Sequence, residues 1–280
     1  MTGAAASPNR LAGPVSAVIP CFRCAATIDR AVESVARQSV LPTELILVDD
    51  ASGDDTLPAL HRLQHRFPSG WIKIIAQNSN CGAGAARNAG WDAAQSEYIA
   101  FLDADDAWHP KKLEIQLDAM LAHPDAALSG HRSTIGTTLA NPEFSGNVPI
   151  EKISFRQLLF ANRFVTPSVM LKRSLPFRFR AGQRHMEDHL LWMQIAASGA
   201  LVLRLEAQLA LTFKPAYGAS GLSNDLWLME KSEYSNYRHL AETGVISRFS
   251  AIVMCAYSTL KFLKRMVVVA ARAMHVTRTS

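Results

Sequence analysis

Four short apolar runs alternate with stretches of helical periodicity through the first 123 residues, and no other feature of the chain limits its fold so closely. The runs are VSAVIP (15–20), ELILVDD (44–50), WIKIIAQ (71–77) and YIAFLDAD (98–105). Continuous β-branched and apolar runs of this length suit strands buried on both faces. Between them, residues 27–38 put Ile28, Val32 and Val35 on one helical face. Asp54 and Asp55 open a helix through residue 67, residues 84–95 read as a helix of small side chains, and Pro110 stands in the first turn of a helix running to 123. The alternation predicts an α/β fold with a mainly parallel sheet flanked by helices. The second half is less regular. Strands are expected over 168–172 and 200–213, helices over 187–198, 226–240 and 246–274, mixed loop over 137–165, and a Gly- and Ser-rich loop over 217–225.

Acidic residues gather where the strands end: Asp49 and Asp50 after the second, then Asp103, Asp105 and Asp106 after the fourth. In open α/β sheets, ligands bind at that edge. Asp103 and Asp105 are one residue apart, so strand geometry would turn both carboxylates to one side, where they repel unless a cation lies between them. A hard divalent ion such as Mg²⁺ or Mn²⁺, bridging the acids to phosphate oxygens, meets that need. The alternative is a plain acidic turn, with Asp106 capping the next helix.

The charge balance gives no warrant for a nucleic-acid-binding body. Of 29 basic residues, six lie in 245–280 (Arg248, Lys261, Lys264, Arg265, Arg272, Arg278) with no acid among them, which leaves 23 basic against 24 acidic elsewhere. The net charge of +5 therefore belongs to a cationic tail. In that tail, Phe249, Ile252, Val253, Tyr257, Leu260, Leu263 and Val267 recur beside the basic residues. Such a helix can lie on an anionic membrane face; the alternative is packing on the catalytic domain or on a homodimer partner. No stretch reaches the length a membrane span needs, and residues 1–14 lack the apolar run of a signal peptide, so they read as a flexible lead-in. Four cysteines are too few for a disulfide scaffold, which points to reduced thiols and a cytoplasmic location. Cys21 and Cys24 form a C-x-x-C with no second pair to complete a zinc set.

Five motifs occur in order: VSAVIP (15–20), LVDDAS (47–52), GAGAARNAG (82–90), YIAFLDADD (98–106) and MEDH (186–189). The series resembles the family-2 glycosyltransferases, which have the GT-A fold, over roughly residues 15–215. The resemblance implies a nucleotide-sugar half (15–123), an acceptor half (124–215), and a loop with C-terminal helices beyond (216–280). It implies that Pro20, Phe22 and Asp50 lie near the nucleobase, with Asp50 accepting from a base N–H; a loop cap is the alternative for Asp50. Gly82 and Arg87 would contact the nucleotide, Arg87 otherwise pairing with a neighbouring acid. Asp103 would face ribose or metal, Asp105 would bind the metal, Asp188 would be the catalytic base, and Glu187 would orient or cap. The alternative for Glu187 and Asp188 is helix capping alone.

Some residues depart from the family pattern. Phe22 and Arg23 stand where Tyr-Asn is common, and Gln194 stands where an arginine often follows the E-D pair. A Q-x-x-R-W motif is absent, which argues for single-sugar transfer over processive synthesis. Trp192 and Met193 read as core, Trp108 as either core or sugar platform, and His185 and His189 as exposed helix-start histidines. The expectation is a metal-dependent inverting transferase moving one sugar from a UDP-sugar to a glycan or lipid-linked glycan in surface-polysaccharide synthesis, on the inner membrane face. An inactive nucleotide-sugar-binding protein and a nucleotidyltransferase are the competing readings.

Overall fold

A computed structural model describes residues 11–136, 148–213 and 225–276, with side chains as far as 266. Residues 1–10 of the expected lead-in, most of the Gly- and Ser-rich loop, and 137–147 of the expected mixed loop lie outside the described residues.

The first half forms β1 (Ala12–Cys21), α1 (Ile28–Ala36), β2 (Leu41–Asp49), α2 (Thr56–Arg66), β3 (Ile72–Ala76), α3 (Ala83–Ala93) and β4 (Tyr98–Phe101). Next come β5 (Ala107–Trp108), α4 (Lys112–Ala122), β6 (Ala126–Ile135), β7 (Ile150–Lys152), α5 (Phe155–Phe160), β8 (Met170–Lys172), α6 (Glu187–Ala197), β9 (Leu201–Thr212), α7 (Leu226–Glu242) and α8 (Arg248–Val276).

One sheet of nine described strands runs through the molecule in the order β3-β2-β1-β4-β8-β6-β9-β5, with β7 paired to β9. The first four pair in parallel. Beyond β4 the pairing is mixed: β8 is antiparallel to both β4 and β6, while β6 and β9 run parallel. Residues 12–14, read from the sequence as lead-in, belong to β1, whose register shifts between Gly13 and Ser16. Pro14 has no N–H to donate, and a proline inside a strand is confined to such irregularities. That is why the strand pattern is visible only from residue 15.

Side chains alternate across β1. Ala17 and Ile19 enter a core with Ile28, Val32 and Val35 of α1 and Leu60 and Leu63 of α2. Val18 enters the opposite core, with Ala86 and Trp91 of α3 and Trp192 and Met193 of α6. Helix α3 lies unusually close to the sheet. A Cβ on Gly90 would stand 2.4 Å from Val18 Cγ1, and one on Gly84 3.1 Å from Glu187 Cγ. The small residues of GAGAARNAG thus serve close helix packing, which brings Arg87 and Glu187 together.

The C-terminal region is no appendage. Ala251 and Met254 of α8 belong to the second core, with Tyr237 and Leu240 of α7. Lys261 pairs with Glu233 at 2.7 Å, and Arg265 lies 3.6 Å from the same acid. These two basic side chains face α7, which agrees with the alternative in which the helix packs on the catalytic domain.

Candidate active site

Strand β1 pairs with β2 on one side and β4 on the other, so the chain reverses direction of travel across the sheet at β1. Crevices open at the C-terminal ends of strands at such switch points. Here a cleft of about 1320 Å³ is lined by all nine of the expected site residues: Pro20, Phe22, Asp50, Gly82, Arg87, Asp103, Asp105, Glu187 and Asp188.

Asp103 and Asp105 do not sit on a strand. Strand β4 ends at Phe101, and the Asp106 amide closes a turn onto the Asp103 carbonyl at 3.1 Å. The turn, not a strand period of two, brings both carboxylates to the cleft. Asp103 Oδ1 accepts from Arg87 Nη2 at 2.7 Å, and the Asp105 carbonyl accepts from Arg30 at 2.5 Å. Asp106 is buried, and its carboxyl is pushed up to about 8, by burial first and then by the negative charges of Asp103 and Asp105. A corner with this surplus of negative charge suits a cation. Among the described residues, no three His, Cys, Asp or Glu side chains converge on a metal position. Asp103 and Asp105 offer hard oxygen donors lining an open cleft, a donor set that would suit Mg²⁺ or Mn²⁺.

Arg87 is 5% exposed, and it pairs with Glu187 as well as with Asp103. It clamps two site acids; its remaining Nε has no hydrogen-bond partner among the described residues. The pairing alternative from the sequence describes this arginine, with the difference that it is buried. Asp50 is likewise an anchor: its carboxylate accepts from the amides of Cys81 and Gly82 at 2.9 and 2.8 Å. Gly82, at φ +92°, adopts a conformation that L side chains rarely take, and it is the N-cap residue that precedes α3. Phe22 stands 45% exposed at the cleft with Arg23 over its ring, so it offers an open aromatic face.

Glu187 and Asp188 open α6 behind Met186, a non-glycine residue at φ +56°. Surroundings must hold so unfavourable a conformation. Asn236 of α7 does so by donating to the Met186 carbonyl at 2.9 Å. Glu187 is buried and its carboxyl is raised to about 7, burial outweighing Arg87, with Asp188 adding to the rise. Asp188 is half-buried. Its Oδ2 accepts from Thr166 Oγ1 at 3.3 Å and Asn162 Nδ2 at 3.4 Å, and its Oδ1 from the His189 amide at 2.6 Å.

Asn162 and Thr166 escaped the sequence reading, because no spacing links them to the motifs they serve. A readable signal lay nearby: Ser154 and Gln157 form a capping box that starts α5. One histidine assignment changes, and the structure resolves one aromatic reading that the sequence left open. His189 is fully buried, its Nε2 bonded to the Leu158 carbonyl at 2.7 Å, because the first turn of α6 is packed against α5. Trp108 is core, donating to the Pro167 carbonyl at 2.8 Å beneath Lys112. Trp192 and Met193 are core as expected. Cys21 and Cys24 are buried free thiols.

An acid-rimmed cleft at a switch point defines an α/β enzyme whose ligands sit at the strand ends. Residues 16–179 match the model of Glycosyl transferase family 2, and the chain belongs to that family. Among curated relatives, the Escherichia coli UDP-Glc:alpha-D-GlcNAc-diphosphoundecaprenol beta-1,3-glucosyltransferase WfgD is 32% identical over 65% of this chain and 69% of its own length. The Bacillus subtilis putative teichuronic acid biosynthesis glycosyltransferase TuaG is 39% identical over 38% of this chain and 42% of its own. In fold, the chain is similar to S. aureus TarS in complex with UDP-GlcNAc, with a TM-score of 0.67 and 18% identity over 90% of this chain and 72% of that one. A Pyrobaculum calidifontis mannosyltransferase in complex with GDP-Man and Mn²⁺ gives a TM-score of 0.64 with 16% identity, over 93% of this chain and 80% of that one. The fold is the GT-A type, and the chain is a glycosyltransferase.

Proposed function

We propose that this glycosyltransferase moves one sugar from a UDP-sugar to an acceptor hydroxyl in a single inverting displacement, with Asp188 as base. The observation that carries the reading is that Asp188 and the Asp103–Asp105 turn line one cleft, with Asp188 Oδ2 accepting from Asn162 and Thr166. An alcohol is a poor nucleophile until its proton is taken. The Asp188 carboxylate accepts that proton as the hydroxyl oxygen bonds to the sugar C1. The C1–phosphate oxygen bond breaks on the opposite face, and its electron pair leaves with UDP. A divalent ion held by Asp103 and Asp105 would neutralise the charge of that leaving group.

Arg87 keeps Asp103 and Glu187 in place at the cleft wall. Phe22 and Pro20 offer an open aromatic ring and backbone to the uracil, and Asp50 holds the loop whose Gly82 lies beside it. The acceptor half, 124–215, carries Asn162 and Thr166. The acceptor class printed for WfgD, a sugar on a lipid diphosphate, supports a lipid-linked glycan as acceptor. No described helix is long and apolar enough to cross a membrane. Helix α8 nonetheless leaves Phe249 at 75%, Ile252 at 67% and Leu260 at 67% exposure, an apolar face suited to peripheral membrane contact.

UDP release from a panel of donors, with acceptor and with Mn²⁺ or chelator, tests the reading. Release from a UDP-sugar that needs both acceptor and metal supports it. Pyrophosphate release from a nucleoside triphosphate would favour a nucleotidyltransferase, and donor binding without turnover an inactive binding protein.

A further inference from the structure

Where α8 meets α5, the rim of the cleft carries charge that sugar transfer itself does not require. Lys261 donates to the Phe160 carbonyl at 3.3 Å, and Tyr257 packs edge-on against Phe160 with ring centroids 5.3 Å apart. These contacts seat α8 beside the segment 160–163. The cations of this rim fall into two groups. Lys261 and Arg265 are neutralised by the buried acids Glu233 and Glu230. Arg163 and Lys264 are exposed, line the cleft, and have no ion-pair partner among the described residues. Two cations left without counter-ions on one rim raise the local positive potential and favour an anion there.

The rim also joins two other features. Inward, Asn162 adjoins Arg163 and donates to Asp188, the proposed base. Outward, Leu260 and Leu263 flank Lys264 and begin the exposed apolar face of α8. A neutral, water-soluble acceptor would use neither the unpaired cations nor the apolar face. Contact with anionic lipid headgroups alone would account for Lys264, but not for Arg163 on the cleft wall. The sequence of surfaces is apolar, then cationic, then catalytic, which matches a molecule that is lipid, then phosphate, then sugar.

We propose that Arg163 and Lys264 hold the phosphate of an acceptor whose sugar is joined to a lipid through a phosphate or diphosphate ester, with the lipid lying along α8. The proposal rests on the glycosyl-transfer reading and names the acceptor that it serves. Arginine grips phosphate oxygens through a planar fork and lysine as a point charge, so each contributes charge-assisted bonds.

The test uses the double variant Arg163→Ala/Lys264→Ala in the full chain, with Arg163→Lys/Lys264→Arg as the charge-preserving control. The first readout is flotation with phosphatidylcholine vesicles, with and without a prenyl diphosphate and with no donor present. Prenyl diphosphate should strengthen binding of the parent ~10-fold, the loss of two charge-assisted contacts being worth at least that much, and should leave the alanine variant unaffected. The control should keep most of the gain. The second readout compares a sugar on a lipid diphosphate with the same sugar as a neutral alkyl glycoside. KM should rise ~10-fold for the first alone, with kcat steady, as expected of lost ground-state binding. An equal gain on prenyl diphosphate vesicles for parent and alanine variant would overturn the proposal, as would an equal KM rise for both acceptors. The vesicle readout needs no turnover. A parent that binds prenyl diphosphate through these residues but transfers no sugar would therefore refute the reaction and leave the phosphate site standing.

Discussion

Arg87 on α3 reaches Glu187 at the start of α6, Nη1 to Oε1 at 3.1 Å, across 100 residues of chain. Its other amino group holds Asp103 at 2.7 Å. One buried cation thus ties the turn after β4 to the helix that carries the proposed base. Removing it strands a buried Glu187 and leaves the acids of the Asp103 turn to repel one another. Breaking a buried pair by removing one partner costs roughly 3–5 kcal/mol. Arg87→Ala should lose about that much in urea unfolding, and Arg87→Lys, which cannot fork to two acids, should fall between it and the parent. An unfolding midpoint unchanged in Arg87→Ala would contradict the clamp.

Glu187 gives the clamp a pH signature. Burial lifts its carboxyl from 4.5 to about 7 in spite of Arg87. The folded state then holds the proton more tightly than the unfolded chain. This group's contribution to stability is complete below about pH 4.5 and is lost as pH rises through about 7. Glu187→Gln, which cannot ionise, should flatten the decline in Tm across that window. Thermal melts of both proteins at a series of pH values check this; parallel declines would show that Glu187 is not the group responsible.

Close packing of α3 on β1 makes Gly90 intolerant of even one methyl. Its Cβ would stand 2.4 Å from Val18 Cγ1, and overpacking of this kind costs about 1–3 kcal/mol. Gly90→Ala should be destabilised by that amount, and adding Val18→Ala should return part of it. Additive losses in the double variant, measured by denaturant unfolding, would mean that the two residues do not meet.

The apolar face of α8 separates surface from core along one helix. Phe249→Glu with Leu260→Glu should reduce binding to anionic vesicles and leave Tm close to the parent's, since both side chains are exposed. Met254→Glu, in the core, should unfold the protein instead. Deleting 246–280 would confuse the two effects, because it removes Ala251 and Met254 from the packed interior. Unchanged vesicle binding in the exposed-face variant would argue that α8 meets no membrane.

The parallel half of the sheet was legible because its strands are buried on both faces and read as unbroken apolar runs. Strand β6 was not: Ser129, Gly130, His131 and Arg132 interrupt its pattern. Its buried polar groups find partners only in the folded chain, as when Gln116 of α4 donates to Ser129. The site acids were legible as types and positions, but their geometry was not. Asp103 and Asp105 sit in a turn beyond β4, and Arg87 spends itself on acids 16 and 100 residues away. Such pairings belong to tertiary packing, which local spacing cannot encode. His189 shows the same limit, its burial being set by α5 and not by its place in α6.

The most direct test of the account is acceptor-dependent UDP release by Asp188→Asn, measured beside Mn²⁺-dependent UDP binding by the same protein. Asparagine keeps the shape of the side chain and can still pair with Thr166 and Asn162, but it cannot take a proton. Loss of a general base is worth roughly 10²–10⁴ in rate. The account predicts a fall in transfer of that order with UDP binding intact. Transfer within a few-fold of the parent would show that the acceptor's proton goes elsewhere and that Asp188 is only a helix cap.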